Sequence, residues 1–314
     1  MSDRSKWDKS SQKASGARSN LKRGRVLAIY PDEVVVECDK ERHSCTLRGA
    51  LKQKKTHNKN ILVVGDFVLF ENTAIEQICD RFSILSRQEH LTRRKQQLIA
   101  ANIDQVLITV SVKQPHLKTP LIDRYLIATY KGNMEPVIVI NKVDLCDDHE
   151  ELKEVTKMYE DLDVPVIHTS VVTGEGLDKL KEQMRNVASV FSGQSGVGKS
   201  SLINAMLGLD LQVGEVRPKS NKGAHTTTNA QLVPLECGGW CIDTPGIRSF
   251  GVWDLQREDL VAHFPEIAEV GLECRYPDCT HTHEPECKVH KAVEEGKIHI
   301  LRFESYVKLL TEIS

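Results

Sequence analysis

The chain has 314 residues, 40% hydrophobic and 27% charged, with a formal net charge of -2. It shows no apolar run of the roughly 18 residues that a membrane helix needs. The N-terminus, MSDRSKWDKSSQKASGARSNLKRGR, also lacks the apolar core of a secretory signal. Nine scattered cysteines do not make a disulfide scaffold. A cytoplasmic, multidomain protein with no membrane association is therefore expected, and, since nothing in the sequence suggests an extended dimer seam, a monomer.

Residues 1–20 are polar and basic and read as a disordered tail. Up to Lys59 there are 15 Lys/Arg against 7 Asp/Glu. Such a block attracts phosphate backbones through counterion release, although a solvated tail would look the same. Over residues 21–88 five short β-rich runs follow, RVLAIY, EVVVEC, HSCTLRG, NILVVGDFVLF and AIEQICD. Short strands without a helical period suggest a small closed β-barrel. An RNA-binding OB-fold is the natural candidate, and an SH3-like barrel the alternative.

Over residues 89–251 strand-like and helix-like segments alternate. QVLITVSV, PVIVI, PVIHTS and VFSG are separated by PLIDRYLIATYKG, HEELKEVTKMYEDL and LDKLKEQMRNV. That pattern predicts an α/β domain with a parallel sheet and helices on both faces, with its ligands at the carboxyl ends of the strands. Residues 252–314 read as a helical domain around a Cys/His cluster.

The stretch Gly193-Gln194-Ser195-Gly196-Val197-Gly198-Lys199-Ser200 fits the full phosphate-loop pattern, and Ser201 continues into a helix. Glycines let successive N–H groups face anionic oxygens, and the helix adds its positive end. Lys199 is placed to reach the β- and γ-phosphates, and Ser200 to bind Mg²⁺. Asp243-Thr-Pro-Gly246 follows another strand-like run. There Asp243 can hold the Mg²⁺ shell through water, and the Gly246 backbone can face the γ-phosphate. Between the two lies a polar switch-like stretch ending in His225 and three threonines, Thr226 to Thr228. One of these, with Thr227 favoured, is expected to complete the Mg²⁺ coordination.

Asn141-Lys142-Val143-Asp144 ends a buried strand. The Asp144 carboxylate matches the N1 and N2 donors of guanine, which adenine lacks, so the pattern selects GTP/GDP over ATP. Asn141 would brace the loop and the Lys142 stem would cover the base. Ser170, in the run Thr169–Val172, sits where a backbone N–H can meet the guanine carbonyl. All the parts of a GTP site are present, but the base-reading motif precedes the phosphate-reading one. A circular permutation accounts for this order, because a sheet does not depend on where its chain begins. The loop after Asp243 then runs straight into the C-terminal domain, a short route from nucleotide state to the pose of that domain.

Cys274-x₄-Cys279-x-His281-x₅-Cys287 offers three thiolates and an imidazole, the ligand count of one structural zinc. His283 and His290 are nearby alternatives to His281. The other six cysteines read as ordinary thiols.

Together, the permuted order, GQSGVGKSSL, GAHTTT, DTPG and the Cys/His spacing resemble the circularly permuted, small-ribosomal-subunit-dependent GTPases of bacteria (RsgA/YjeQ-like). The resemblance runs from about Gly24 to the C-terminus. It implies an OB-fold, a permuted GTPase domain and a zinc domain with His281 as the imidazole ligand. It also implies late maturation of the small ribosomal subunit and hydrolysis stimulated by that particle; with these, a protein that binds the rRNA and is released on hydrolysis is expected.

Ras-like GTPases place a water-orienting Gln directly after the DxxG motif. Here that residue is Ile247, and the resemblance implies the same hydrophobic replacement. His225 is the nearest polar candidate for positioning the attacking water, with Lys199 and Thr227 stabilising charge. Weak intrinsic turnover, raised by an RNA-rich partner, is expected. A nucleotide-gated binding protein without turnover is the rival reading. Arg93, Arg94 and Lys95 form a further basic patch. Trp7, Tyr30 and Phe70 are the aromatic residues available to the barrel, and Phe70 is expected in its core.

Overall fold

The computed structural model of the chain describes residues 20–52, 61–88, 96–208, 230–243 and 257–313. The expectations placed on His225, Thr227, Gly246, Ile247, Trp7, Arg93, Arg94, Lys95 and the N-terminal tail lie outside these residues.

Five strands form the N-terminal barrel: β1 (Lys22–Ile29), β2 (Val34–Cys38), β3 (Glu41–Leu47), β4 (Phe67–Glu71) and β5 (Ala74–Ile78). A one-turn helix, α1 (Gly49–Lys52), follows β3. The strands close in the order β1-β2-β3-β5-β4-β1, antiparallel except for the β3–β5 seam. That order belongs to the OB-fold and not to an SH3-like barrel. Alternate residues fill the interior, among them Val26, Val34, Val36, Val68, Phe70 and Ile75.

The run NILVVGDFVLF is only partly strand, because the chain turns at Gly65. There φ is +87°, and a Cβ would lie 2.0 Å from the Ala101 carbonyl oxygen. Val64 instead bridges Ala100. A hairpin that the sequence pattern did not reveal, β6 (Ile84–Gln88) with β7 (Gln96–Ala101), leads on from the barrel.

The central domain runs β8 (Gln105–Ser111), α2 (Thr119–Lys131), β9 (Glu135–Asn141), α3 (His149–Glu160), β10 (Val166–Thr169), α4 (Leu177–Gln183), β11 (Ala188–Ser192), α5 (Lys199–Met206), β12 (Gln231–Pro234) and β13 (Trp240–Asp243). The sheet order is β10-β9-β8-β11-β13-β12. The first five strands are parallel, and β12 is antiparallel to β13. Both β8 and β11 are buried at every residue, as a sheet covered on both faces requires. One face carries α2 and α3, with Ile122, Tyr125, Leu152 and Tyr159 in its core. The other carries α4 and α5, with Leu180, Met184 and Leu202. Through β12 the sheet continues into β1 of the barrel, at Ala28 opposite Gln231.

The C-terminal helices are α6 (Arg257–Leu260), α7 (Pro265–Gly271), α8 (Lys288–Glu294) and α9 (Ile300–Ile313). Their core gathers Leu260, Phe264, Ile267, Tyr306 and Leu309, and Ile127 of α2 joins it. Beside that contact the Arg302 guanidinium is buried against Asp123 of α2 and Glu266 of α7.

Candidate nucleotide site and metal cluster

Four loops meet at the carboxyl ends of the parallel strands. The phosphate loop leaves β11, and three of its glycines have positive φ: Gly193, Gly196 and Gly198. At two of them any side chain would collide. A Cβ on Gly193 would lie 2.0 Å from the Thr109 carbonyl oxygen, and one on Gly198 would lie 2.3 Å from Asn141 Nδ2. The loop can therefore lie against β8 and β9 only with glycine at these positions.

Helix α5 begins at Lys199, with Gly198 as its left-handed N-cap. The Lys199 ammonium donates to the carbonyls of Gly193 and Gln194, both at 2.7 Å, so it is held over the loop's own turn. Gln194, Ser195, Gly196 and Ser200 are exposed, whereas Val197 is buried. Ser201 lies in the first turn of α5, and β13, the neighbour of β11, ends at Asp243.

The segment Asn141–Asp144, expected to read the base, sits at the end of β9, where Asn141 is opposite Ser111 of β8 and Thr169 of β10. Its side chains reach the phosphate loop directly. Asn141 Nδ2 donates to the Val197 carbonyl at 2.9 Å. Lys142, in left-handed conformation, donates to the carbonyls of Gly196 at 2.7 Å and Gln114 at 2.6 Å. Thr169 Oγ1 donates to Asn141 Oδ1 at 3.1 Å and fixes which way the amide faces. Ser170 is buried, and its hydroxyl donates to Asp144 Oδ1 at 2.5 Å, while Asp144 itself is exposed. Two segments more than 50 residues apart in the chain thus form one rigid loop pair.

The β8–α2 connection is the part of this cluster that sequence reasoning missed. Gln114 accepts from Lys142 through its backbone carbonyl, and Ser111 Oγ donates to the Pro115 carbonyl at 2.8 Å. A backbone carbonyl leaves no residue-type signature, so nothing in the sequence marks the segment.

The second cluster lies between α7 and α8. The ligand atoms of Cys274, Cys279, His281 and Cys287 all fall within 4.8 Å of one another. Cys287 Sγ is 3.9 Å from the sulfurs of both Cys274 and Cys279. His281 Nδ1 is 3.6 Å from Cys274 Sγ and 3.5 Å from Cys287 Sγ. With Zn–S near 2.3 Å and Zn–N near 2.0–2.1 Å, a tetrahedron has edges of about 3.8 Å between sulfurs and about 3.6 Å from sulfur to nitrogen. The residues present therefore fit a Cys₃His zinc ion, with Nδ1 as the imidazole donor.

Burial pushes the Cys279 thiol up to about 12, and the neighbouring thiols of Cys287 and Cys274 add to the shift. A divalent cation reverses that preference by binding the thiolate. The two alternative histidines are engaged elsewhere. His290 Nε2 meets the His281 carbonyl at 2.9 Å, and exposed His283 pairs with Thr282 Oγ1. The Glu284 carboxylate accepts from the backbone N–H groups of Thr280, Thr282 and His283 and from the Thr280 hydroxyl, bracing the turn that presents His281. Burial alone would push that carboxyl up, but these donors hold it well below the usual carboxylate range.

Among the described residues, no helix is long and apolar enough to cross a membrane. In comparison with known proteins, the RsgA GTPase family matches residues 78–253. A protein of Gemmatimonas aurantiaca, named small ribosomal subunit biogenesis GTPase RsgA, is 40% identical over 298 residues, covering 92% of this chain and 94% of its own length. A relative of the same name from Thermotoga neapolitana is 38% identical over 302 residues, covering 93% and 97%. Among solved structures, YjeQ from Thermotoga maritima superposes with a TM-score of 0.74 at 35% identity, covering 93% of this chain and 98% of that one. YloQ, described as a circularly permuted GTPase, superposes with a TM-score of 0.72 at 26% identity, covering 95% and 97%.

Proposed function

This chain belongs to the RsgA GTPase family, and from that premise we propose that it hydrolyses GTP during late maturation of the small ribosomal subunit. It binds the rRNA of that particle, is stimulated by it and leaves after hydrolysis. The relatives' shared name supports the partner. A cytoplasmic site of action goes with that partner. The division of labour follows the chain, with an RNA-gripping barrel over 21–88, a permuted GTPase domain over 89–251 and a zinc domain over 252–314.

The observation that carries the nucleotide reading is the joining of the two loops, in which Asn141 and Lys142 donate to the carbonyls of Val197 and Gly196. Asp144 reads guanine, and Asn141 and Lys142 tie the base loop to the phosphate loop; the Ser170 backbone N–H, expected to meet the guanine carbonyl, instead donates to the Glu175 carbonyl at 3.0 Å, so that donor comes from elsewhere in the run Thr169–Val172. The N–H groups from Gly193 to Ser201 cradle the phosphates. Lys199 exchanges two loop carbonyls for anionic phosphate oxygens, which accept stronger hydrogen bonds. Ser200 and Thr227 would hold Mg²⁺ directly, and Asp243 would hold it through water. Bound Mg²⁺ neutralises charge developing on the β- and γ-phosphates. Gly246 would present its N–H to the γ-phosphate, and His225 would orient the attacking water. Cys274, Cys279, His281 and Cys287 hold one Zn²⁺, which supplies folding energy to the C-terminal helices.

The test is GTP turnover of the purified protein, alone and with small subunits, large subunits or tRNA, with Lys199→Ala as the blank. Stimulation by small subunits alone is the expected result. Bound GTP with no turnover under any condition would leave a nucleotide-gated RNA-binding protein, the reading that Ile247 favours. Asp144→Asn is expected to lose GTP and to gain xanthosine triphosphate, whose base presents an acceptor where guanine presents a donor. Unchanged base preference would remove Asp144 from the base-reading role.

A further inference from the structure

Among the described residues, the barrel is hydrogen-bonded to the GTPase sheet through one strand. Ala28 of β1 lies opposite Gln231 of β12, and Gln231 lies opposite Asp243 of β13. These three residues therefore stand side by side across three strands. The Gln231 side chain donates from Nε2 to the Tyr30 hydroxyl at 3.1 Å, a second tie to the barrel. Arg25, also on β1, makes a third. Its guanidinium is buried 4.7 Å over the Trp240 ring and 5.3 Å over the Phe67 ring. Trp240 opens β13 and Asp243 ends it, so the barrel meets the start of that strand directly, through Arg25, and its end through Gln231 of β12.

Arg25 is a poor choice for adhesion alone. Nη2 donates to the Asn102 carbonyl at 2.5 Å. Arg25 Nε and Trp240 Nε1, however, are buried without an acceptor among the described residues. Burial lowers the Arg25 pKa to about 10, although Asp104 and Glu37 work against it. A buried cation without a hydrogen-bonded carboxylate costs stability, and an apolar side chain of similar length would serve packing better.

We propose that Arg25 and Gln231 are positioning residues that couple the pose of the barrel to Asp243, and hence to the γ-phosphate end of the nucleotide site. The inference rests on the GTP-site reading above. A polyanion gripping the barrel then acts on Asp243 along one short strand, without touching the nucleotide.

The experiment compares Arg25→Met, Arg25→Lys and Gln231→Leu with the wild-type chain. A fluorescent GDP and a non-hydrolysable GTP analogue are titrated at several Mg²⁺ concentrations, and thermal unfolding is followed in parallel. GDP affinity should hold in every variant, because the base and phosphate loops hang from β9 and β11. Affinity for the analogue should fall about tenfold in Arg25→Met and Gln231→Leu, with more Mg²⁺ needed for half-saturation. Arg25→Lys, which keeps a cation over the rings, should recover most of it. The unfolding temperature of Arg25→Met should be unchanged or higher. An equal loss of GDP and analogue, with a lower unfolding temperature, would make the residues merely structural. Unchanged binding of both nucleotides would remove the coupling. A wild-type chain that binds neither nucleotide would overturn the underlying GTP reading, and the coupling with it.

Discussion

A buried arginine sits at each of the two seams of the GTPase domain, and the two are solvated in opposite ways. At the C-terminal seam Arg302 is 4% exposed and pairs with Asp123 and, at 2.6 Å, with Glu266, while lying 4.3 Å over the Phe264 ring. Burial works to lower its pKa, but the two carboxylates outweigh it and raise it above the ordinary value. At the barrel seam Arg25 has a carbonyl and two aromatic faces, and burial prevails. Paired charges make a joint that is hard to part, because separation strands each partner in a low dielectric. A cation held by ring faces and one carbonyl has less to lose. The C-terminal seam is thus tied by paired charges, and the buried cation of the barrel seam is held without one.

Breaking the strong seam gives the largest expected effect. Arg302→Ala strands Asp123 and Glu266 and should lower unfolding stability by about 3–5 kcal/mol, read from the denaturant midpoint. A loss no greater than that of an exposed arginine would erase the contrast between the seams. Tyr159→Phe probes the same seam more gently. The Tyr159 hydroxyl donates to Asp123 Oδ1 at 3.0 Å, and losing a bond to a charged acceptor should cost about 1.5–3 kcal/mol.

Glu284→Gln tests the turn behind that seam. The amide retains part of the bonding, so about 1 kcal/mol should be lost at neutral pH. The folded Glu284 pKa lies below its unfolded value, so the carboxylate's contribution is complete above the ordinary value of 4.5 and is lost as the pH falls below it. The gap in unfolding temperature between wild type and Glu284→Gln should therefore close on acidification. A gap that is constant with pH would show that the charge plays no part. The smallest change in stability is expected from Arg25→Met, whose effect should appear in nucleotide discrimination instead.

Much of the site was legible because its chemistry is written in side chains at short spacing. The phosphate loop, Asn141 to Asp144 and the Cys/His cluster each occupy a few consecutive or near-consecutive residues. The structure brings the first two into contact and draws the third to ligand distances. The barrel was legible as five short strands, because alternation such as that of β2 survives in any half-buried strand. Its closure was not, since the β3–β5 and β1–β4 pairings are long-range and no local pattern encodes them. The β6–β7 hairpin escaped notice for a related reason. QQLIAA and ILSRQ are short and only partly apolar, and become strands by pairing with each other.

Residue type and short-range spacing by themselves marked the segments that meet in this protein: Asn141 to Asp144, the glycine-bounded loop from Gly193 to Ser200 and the Cys₃His set. They also determined the permuted order, which is a property of the chain and needs no coordinates. Only the tertiary structure decided how the parts are joined. The Gln114 carbonyl beneath Lys142, the line from Ala28 through Gln231 to Asp243, and the unlike surroundings of Arg25 and Arg302 all arise between segments far apart in the chain. Backbone carbonyls, strand registers and the local dielectric carry no residue signature. They take their values only when the chain has closed on itself.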